Sequence, residues 1–284
     1  MCLILTSWRS HPEYPLVVLA NRDEFYERPT DPMHWWQDHP NVLAGRDRAD
    51  VHGESGTWMG WTKTGKFAAL TNVRAPSEKN PDLRTRGEIT SLFLKSHLAP
   101  QEFIKTHEKK FHRYNGFNFL SLDLSVPEPQ LLWLSNRVMM GHSIRQRKAM
   151  NPQSLKPGIY GLSNALLDTP WHKVQHRIGA FAQMLAMDPG QFQKTEQYMQ
   201  MMQDSTQAPD AYLPQTGVSY EWEKVLSSAF IRSEHYGTRS TSLFRIRYDG
   251  HYEMIEKRYD AQQEIETLTF QGQLERMPFT SRHH

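Results

Sequence analysis

Only one of the 284 residues is cysteine, which excludes an internal disulfide framework, a cysteine-based zinc cluster and a CxxCH haem attachment. Charge of one sign is equally scarce. There are 33 Lys plus Arg against 31 Asp plus Glu, a net charge of +2, and no run of five like charges, so nucleic acid is not expected as a partner. Long hydrophobic runs are missing too. The longest, such as LVVLA at 16 to 20, are strand-length, far below the roughly 20 residues of a membrane span, and no integral membrane segment is expected. The opening MCLILTSWRS has no basic stretch before an apolar run of five positions, too short for a secretory signal, and the expected location is cytoplasmic. No phosphate loop, dinucleotide fingerprint, repeat or low-complexity tract occurs. His172 and His176 share a helical face but lack an acidic third ligand and the Glu of HExxH, so no metal site is expected.

The pattern that is present begins with strands. Cys2 to Trp8 and Leu16 to Ala20 read as two antiparallel strands joined by a Pro-containing connection. Trp58 to Thr62 and Phe67 to Thr71 flank Lys63-Thr64-Gly65-Lys66, and Ser242 to Tyr248 turns through Asp249-Gly250 into Tyr252 to Lys257. Both are hairpin signals. Further strands are expected at Phe117 to Leu122, Gln130 to Leu134, Ile159 to Leu162 and Ala229 to Arg232. Val174, Ile178, Phe181 and Leu185 form a helical stripe after Thr169-Pro170, and Asp188-Pro189 repeats that start signal for a helix running to about Met202. Arg86 to His97 and Pro100 to Lys109 read as a helical pair, and Gln203 to Gly217 as a loop. The aromatic and imidazole cluster His34, Trp35, Trp36 and His39 falls in the loop after the second strand, as a lid or as cover for a neighbouring core. Nothing divides the chain, so one α+β domain over residues 1–284 is expected.

Chemistry concentrates at the strand ends. Cys2 follows the initiator methionine, and removal of Met1 makes the thiol N-terminal. An N-terminal nucleophile uses its own α-amine, with a pKa of about 7.7 to 8.0, as the base. The plain alternative is a small buried hydrophobe. Asn21-Arg22-Asp23-Glu24 ends the second strand, which places Arg22 and Asp23 near Cys2. A guanidinium there lowers a thiol pKa, and a carboxylate orients an α-amine. Asn72 and Asn164, at other strand ends, are natural oxyanion donors, and Arg239 can hold a carboxylate or carbonyl.

The set Met1-Cys2, Ala20 to Tyr26, Gly56 to Trp58, Ala69 to Asn72, Tyr114 to Asn118, Tyr160 to Ala165, Thr169 to Trp171 and Tyr236 to Arg239 resembles the NRDE-motif family, as a bacterial relative of the transport and Golgi organisation protein two. That family is similar to the N-terminal nucleophile hydrolases, so the resemblance implies a four-layer α/β/β/α sandwich of mainly antiparallel sheets. The helices from Arg86 to Lys109 are expected on one side and those from Pro170 to Met202 on the other. In the penicillin V acylase and bile-salt hydrolase group, the catalytic roles match Cys2, Arg22, Asp23, Asn72, Asn164 and Arg239, which are expected to converge on one concave region. Arg22 and Asp23 are adjacent here, where the hydrolases separate their pair by a few residues. Asn21, Glu24, Trp58, Gly237 and Thr238 are carried over as ligand-binding positions. The resemblance also implies haem trafficking, with haem as transient cargo, haem proteins as clients and no required cofactor. An N-terminal cysteine amidohydrolase acting on a non-peptide C–N bond is the alternative, and a scaffold without chemistry is a third class. Cys2 as thiolate is a possible iron ligand, and the 14 His, 13 Met, 8 Trp and 11 Tyr offer others.

Overall fold

A computed structural model describes residues 3–48, 55–140, 143–147, 149–274 and 277–278. Cys2 lies outside the described residues. The chain forms two compact units, one from Met1–Glu27, Lys156–Ser163 and Leu167–His284, the other from Arg28–Leu155 and Asn164–Leu166.

The first unit holds β1 (Leu3–Trp8), β2 (Leu16–Phe25), β12 (Gly158–Leu162), β13 (Tyr236–Ile246), β14 (His251–Tyr259) and β15 (Glu264–Gln273). They form one antiparallel sheet in the order β12-β1-β2-β13-β14-β15. Side chains alternate across a strand, so Leu3, Leu5, Val17, Leu19, Leu243 and Ile255 share one face. There they pack against Val174, Phe181 and Leu185 of α3 (His172–Met187) and Tyr198 and Met199 of α4 (Thr195–Met201). The expected turn at Asp249-Gly250 joins β13 to β14, with Gly250 at φ +89°, a left-handed value that favours glycine.

The second unit holds β3 (Thr30–Trp35), β4 (Val42–Asp47), β5 (Met59–Thr62), β6 (Lys66–Asn72), β7 (Phe117–Asp123), β8 (Leu132–Ser135) and β11 (Gln153–Ser154). Their order is β11-β8-β7-β6-β5-β4-β3, and β9 (Arg137–Met140) pairs with β10 (Ser143–Gln146) separately. Ala44, Ala68, Leu70, Phe117, Phe119 and Leu134 form a core with Ile89, Phe93 and Leu94 of α1 (Gly87–Lys95) and Phe103 and Ile104 of α2 (Pro100–His107). Each unit is therefore a helical layer on an antiparallel sheet, in keeping with the α+β class.

Several local expectations are corrected. Residues 189–194 do not begin a helix, because Gly190, Gln191, Phe192 and Lys194 all have positive φ. The Asp188 carboxylate that signalled a helix start is taken up by Gly190 N, Tyr198 Oη and Arg245 Nη1, and α4 starts only at Thr195. Helix α3 starts at His172, not at Pro170. Ala229 to Arg232 is not a strand; only Arg232 forms an isolated bridge, to Gly237. His34 and Trp35 belong to β3, and Trp36 is core, its Nε1 donating to Ala44 O at 3.0 Å. Asn21 to Phe25 do not turn after Ala20. They continue β2, because Asn21 pairs with Leu3 of β1 and residues 21–25 pair with β13.

Candidate functional site

In the first unit the NRDE segment lies in the sheet, Asn21 paired on both sides and Arg22 to Glu24 paired with β13. Asn21 is opposite Thr241, Arg22 opposite Ser240, Asp23 opposite Thr238, Glu24 opposite Gly237 and Phe25 opposite Tyr236. The extra residue in β13 is Arg239, which forms a bulge between Thr238 and Ser240. Side-chain bonds fix which face each residue serves. Thr241 Oγ1 donates to Asn21 Oδ1 at 2.7 Å, and Asn21 Nδ2 donates to Met202 O and Ala229 O on the helix-covered side. Thr238 Oγ1 donates to Asp23 Oδ1 at 2.6 Å and accepts from Ile231 N at 2.9 Å. Asn21 and Asp23 thus face the helices and hold the 202 and 229–231 segments. Alternation sends Arg22 and Glu24 to the opposite face. Adjacency in sequence therefore separates the Arg22 and Asp23 side chains across the sheet.

Arg239 Nη1 donates to Phe25 O and Tyr26 O, both at 2.9 Å, so this side chain clasps the end of β2. Burial lowers its pKa, and the neighbouring Arg22 and Arg258 guanidiniums lower it further. Gly237 must be glycine here, since a Cβ would run into Tyr26 Oη and Ile231 O. Glu24 Oε1 accepts from Phe25 N at 3.0 Å. The strand that follows residue 2 opens at Leu3, opposite Asn21, so the chain enters the sheet one position from Arg22.

The second unit brings together Asn72 and Asn164. Asn164 Nδ2 donates to Asn72 O at 3.0 Å, and Arg74 N donates to Asn164 O at 2.7 Å. Beneath them is Asn118, fully buried in β7, whose Nδ2 donates to Thr71 Oγ1 and Ala165 O. It fastens the residue beside Asn72 to the residue beside Asn164. The role of Asn118 was missed; its signal was a lone amide inside the apolar run Phe117 to Leu122. Trp58 is buried over Gly45, and its carbonyl accepts from Leu70 N.

Beyond the NRDE segment lies an apolar groove of about 280 Å³ in the first unit. Phe25, Trp222, Val225 and Tyr236 wall it, and His235, Glu221 and Glu234 stand at its exposed edge. Tyr236 meets Phe25 and Trp222 edge-on, with ring centroids 5.1 and 5.6 Å away. Phe25 and Trp222 remain 44% and 40% exposed. Elsewhere the His172 and His176 rings lie 4.2 Å apart. Burial and then His176 lower the His172 pKa. Among the described residues no group of three His, Cys, Asp or Glu is arranged to hold a metal, and no helix is long and apolar enough to cross a membrane.

Residues 1–261 match the family described as Transport and Golgi organisation 2. The chain belongs to that family. It is 33% identical over 267 residues to the Transport and Golgi organization protein 2 homolog of Bos taurus, covering 90% of this chain and 92% of the relative. The Homo sapiens homolog is 31% identical with the same coverages, and the Drosophila melanogaster protein 26% identical. Among solved structures, it is similar to a Caenorhabditis elegans ortholog of N-acylethanolamine-hydrolyzing acid amidase, with TM-score 0.45 and 12% identity, covering 71% of this chain and 85% of that one. A variant of conjugated bile acid hydrolase from Clostridium perfringens has TM-score 0.45 and 10% identity, covering 96% and 98%.

Proposed function

We propose that this protein binds haem reversibly and hands it to haem proteins. The supporting observation is the groove walled by Phe25, Trp222, Val225 and Tyr236 with His235 at its edge. A porphyrin is a flat apolar ring that stacks on aromatic side chains, and imidazole is a common axial ligand for its iron. The His235 side chain is 81% exposed, so its ring is accessible from solvent. An open, shallow seat with one ligand suits a carrier, since cargo held on one side dissociates readily. Family membership agrees with this reading through the haem movement that the resemblance implies.

The test is a haem titration of the full chain followed by absorbance. Saturation at micromolar concentration is expected, corresponding to about −8 kcal/mol, with His235→Ala weakening binding and shifting the Soret band. Absence of a saturable change in the wild-type protein overturns the haem reading.

The second reading is an N-terminal cysteine amidohydrolase. Arg22, one position from the entry of β1, favours it. In that chemistry the Cys2 thiolate attacks an amide carbonyl, the C–N bond breaks with the amine leaving protonated, and water releases the acid from the thioester. Arg22 is proposed to act on the thiol, whereas Asp23 is turned to the helix-covered face and bonded to Thr238 Oγ1, away from Arg22. It requires loss of Met1, which intact mass reads directly, and turnover that falls to background in Cys2→Ala.

A further inference from the structure

Strand β15 ends one side of the first unit's sheet. It pairs with β14 from Glu264 opposite Tyr259 to Gln273 opposite His251, and among the described residues no strand lies beyond it. Its 10 residues leave an open edge of roughly 33 Å, along which every second residue turns its backbone N–H and C=O outward. Natural proteins blunt edges of this length with lysine, proline or a bulge. β15 contains no Lys and no Pro, and Thr267 to Gln273 carry no charge. Its one register shift, opposite Arg258 and Tyr259, leaves Glu266 to Gln273 in continuous pairing. The two acids stand at the first end and are turned back to β14, Glu266 to Arg258 at 2.7 Å and Glu264 to Lys257 at 3.6 Å. Gln271 Nε2 likewise donates to Glu253 Oε2 at 3.1 Å. Neither charge nor backbone irregularity therefore guards the outer edge.

We infer that two copies of the chain join along β15, antiparallel about a two-fold axis at Thr269, so that their two sheets become one. The strand's own residues select a second copy as the occupant. A two-fold interface needs a surface complementary to itself, and with the axis at Thr269 Leu268 stands opposite the partner's Phe270 and Phe270 opposite the partner's Leu268. These are half-buried apolar side chains on one face, and each covers the other. Thr267 meets the partner's Gln271 and Glu266 the partner's Gly272, so no carboxylate faces another, which would be destabilising. Moving the axis to Leu268 sets Glu266 against the partner's Phe270 and loses this match. The contact uses backbone and edge side chains outside the proposed haem seat and stands or falls without it.

The test is sedimentation velocity of the full chain from about 1 to about 200 μM, where a concentration-dependent shift from monomer to dimer is expected. Thr269→Lys places two ammonium groups opposite each other at the axis and should raise the dissociation constant at least about tenfold. Thr269 is exposed, so the melting temperature of this variant should stay close to that of the wild type, which separates lost pairing from lost folding. Register is read by cross-linking with glutathione disulfide in a Cys2→Ser background, where an introduced cysteine is the only thiol. Directly opposite residues have Cα atoms about 4.5–5.5 Å apart, within disulfide reach, so Thr269→Cys should cross-link to its own copy. Thr267→Cys alone should not, because its two copies are about 13 Å apart along the strands, but it should cross-link when mixed with Gln271→Cys. A chain that stays monomeric throughout overturns the proposal. So does a dimer whose affinity Thr269→Lys leaves unchanged, or one that cross-links Thr267→Cys alone as fast as Thr269→Cys.

Discussion

Thr238→Val is the sharpest probe of how the NRDE strand is held. Valine keeps the shape of threonine and removes only the hydroxyl, which donates to Asp23 Oδ1 at 2.6 Å and accepts from Ile231 N at 2.9 Å. Thr238, Asp23 and Ile231 are all at most 3% exposed, so water does not replace either bond. Loss of a bond to a carboxylate costs about 1.5–3 kcal/mol and an orphaned buried N–H about 1–3 kcal/mol, against roughly 1 kcal/mol returned by the added methyl. The expected net loss is about 3 kcal/mol, a large share of the roughly 5–15 kcal/mol that stabilises a typical protein. Guanidinium denaturation followed by tryptophan fluorescence should show a lower midpoint at unchanged slope. Thr238→Ser, which keeps both bonds, should lose far less. In a double-mutant cycle, Asp23→Asn should be coupled to Thr238→Val by about 1–2 kcal/mol. The same bonds tether Ile231 to Thr238 across the segment that carries His235 and Tyr236, so amides of residues 232–237 should exchange faster in the valine variant. A loss below about 1 kcal/mol, with no coupling to Asp23, refutes the assignment of this triad as the clamp.

Arg245 is wholly buried and bonds Asp188, Glu253, Thr195 and Phe192 O; Arg245→Met strands two carboxylates and should cost about 3–5 kcal/mol in urea denaturation. Gly237→Ala forces a Cβ onto Tyr26 Oη and Ile231 O and should cost about 1–3 kcal/mol, only partly rescued by adding Tyr26→Phe because the carbonyl clash remains. Burial pushes the Tyr14 pKa up from 10.0 to about 12, partly offset by Arg245, and raises Tyr114 and Tyr198 as well. A raised folded-state pKa gives stability that is present below pH 10 and is lost as pH climbs through 12, so alkaline melting should remove about 3 kcal/mol through Tyr14 alone. Lys66, whose pKa burial lowers from 10.5, works in the opposite direction as it sheds its proton, and thermal melts from pH 8 to 12 together with tyrosinate absorbance check the balance.

What the sequence determined by itself was local. The apolar runs at Leu3 and Leu16, the Lys63–Lys66 and Asp249-Gly250 turns and the Val174–Leu185 stripe each carry their period and punctuation within a few residues, and each formed where that pattern placed it. Family membership was legible for the same reason, since its motifs are short and ordered along the chain. Tertiary structure decided the rest. Strand β15 alternates exposed Thr267, Thr269 and Gln271 with half-buried Leu268 and Phe270 and takes its place by pairing with the edge of β14, and α4 starts late because Arg245 and Asp188, 57 residues apart, commandeer the backbone before it. Most telling is the NRDE segment. Its four polar residues look like one surface turn, yet pairing with β13 keeps them in a strand, where the pleat sends Asn21 and Asp23 to the helices and Arg22 and Glu24 to the opposite face. Which residues meet Arg22 then depends on cross-strand register, which brings up Ser240 and Arg258 from more than 200 positions away. No local pattern encodes that register. It is set by which long-range pairing buries the apolar rows of the central strands at once.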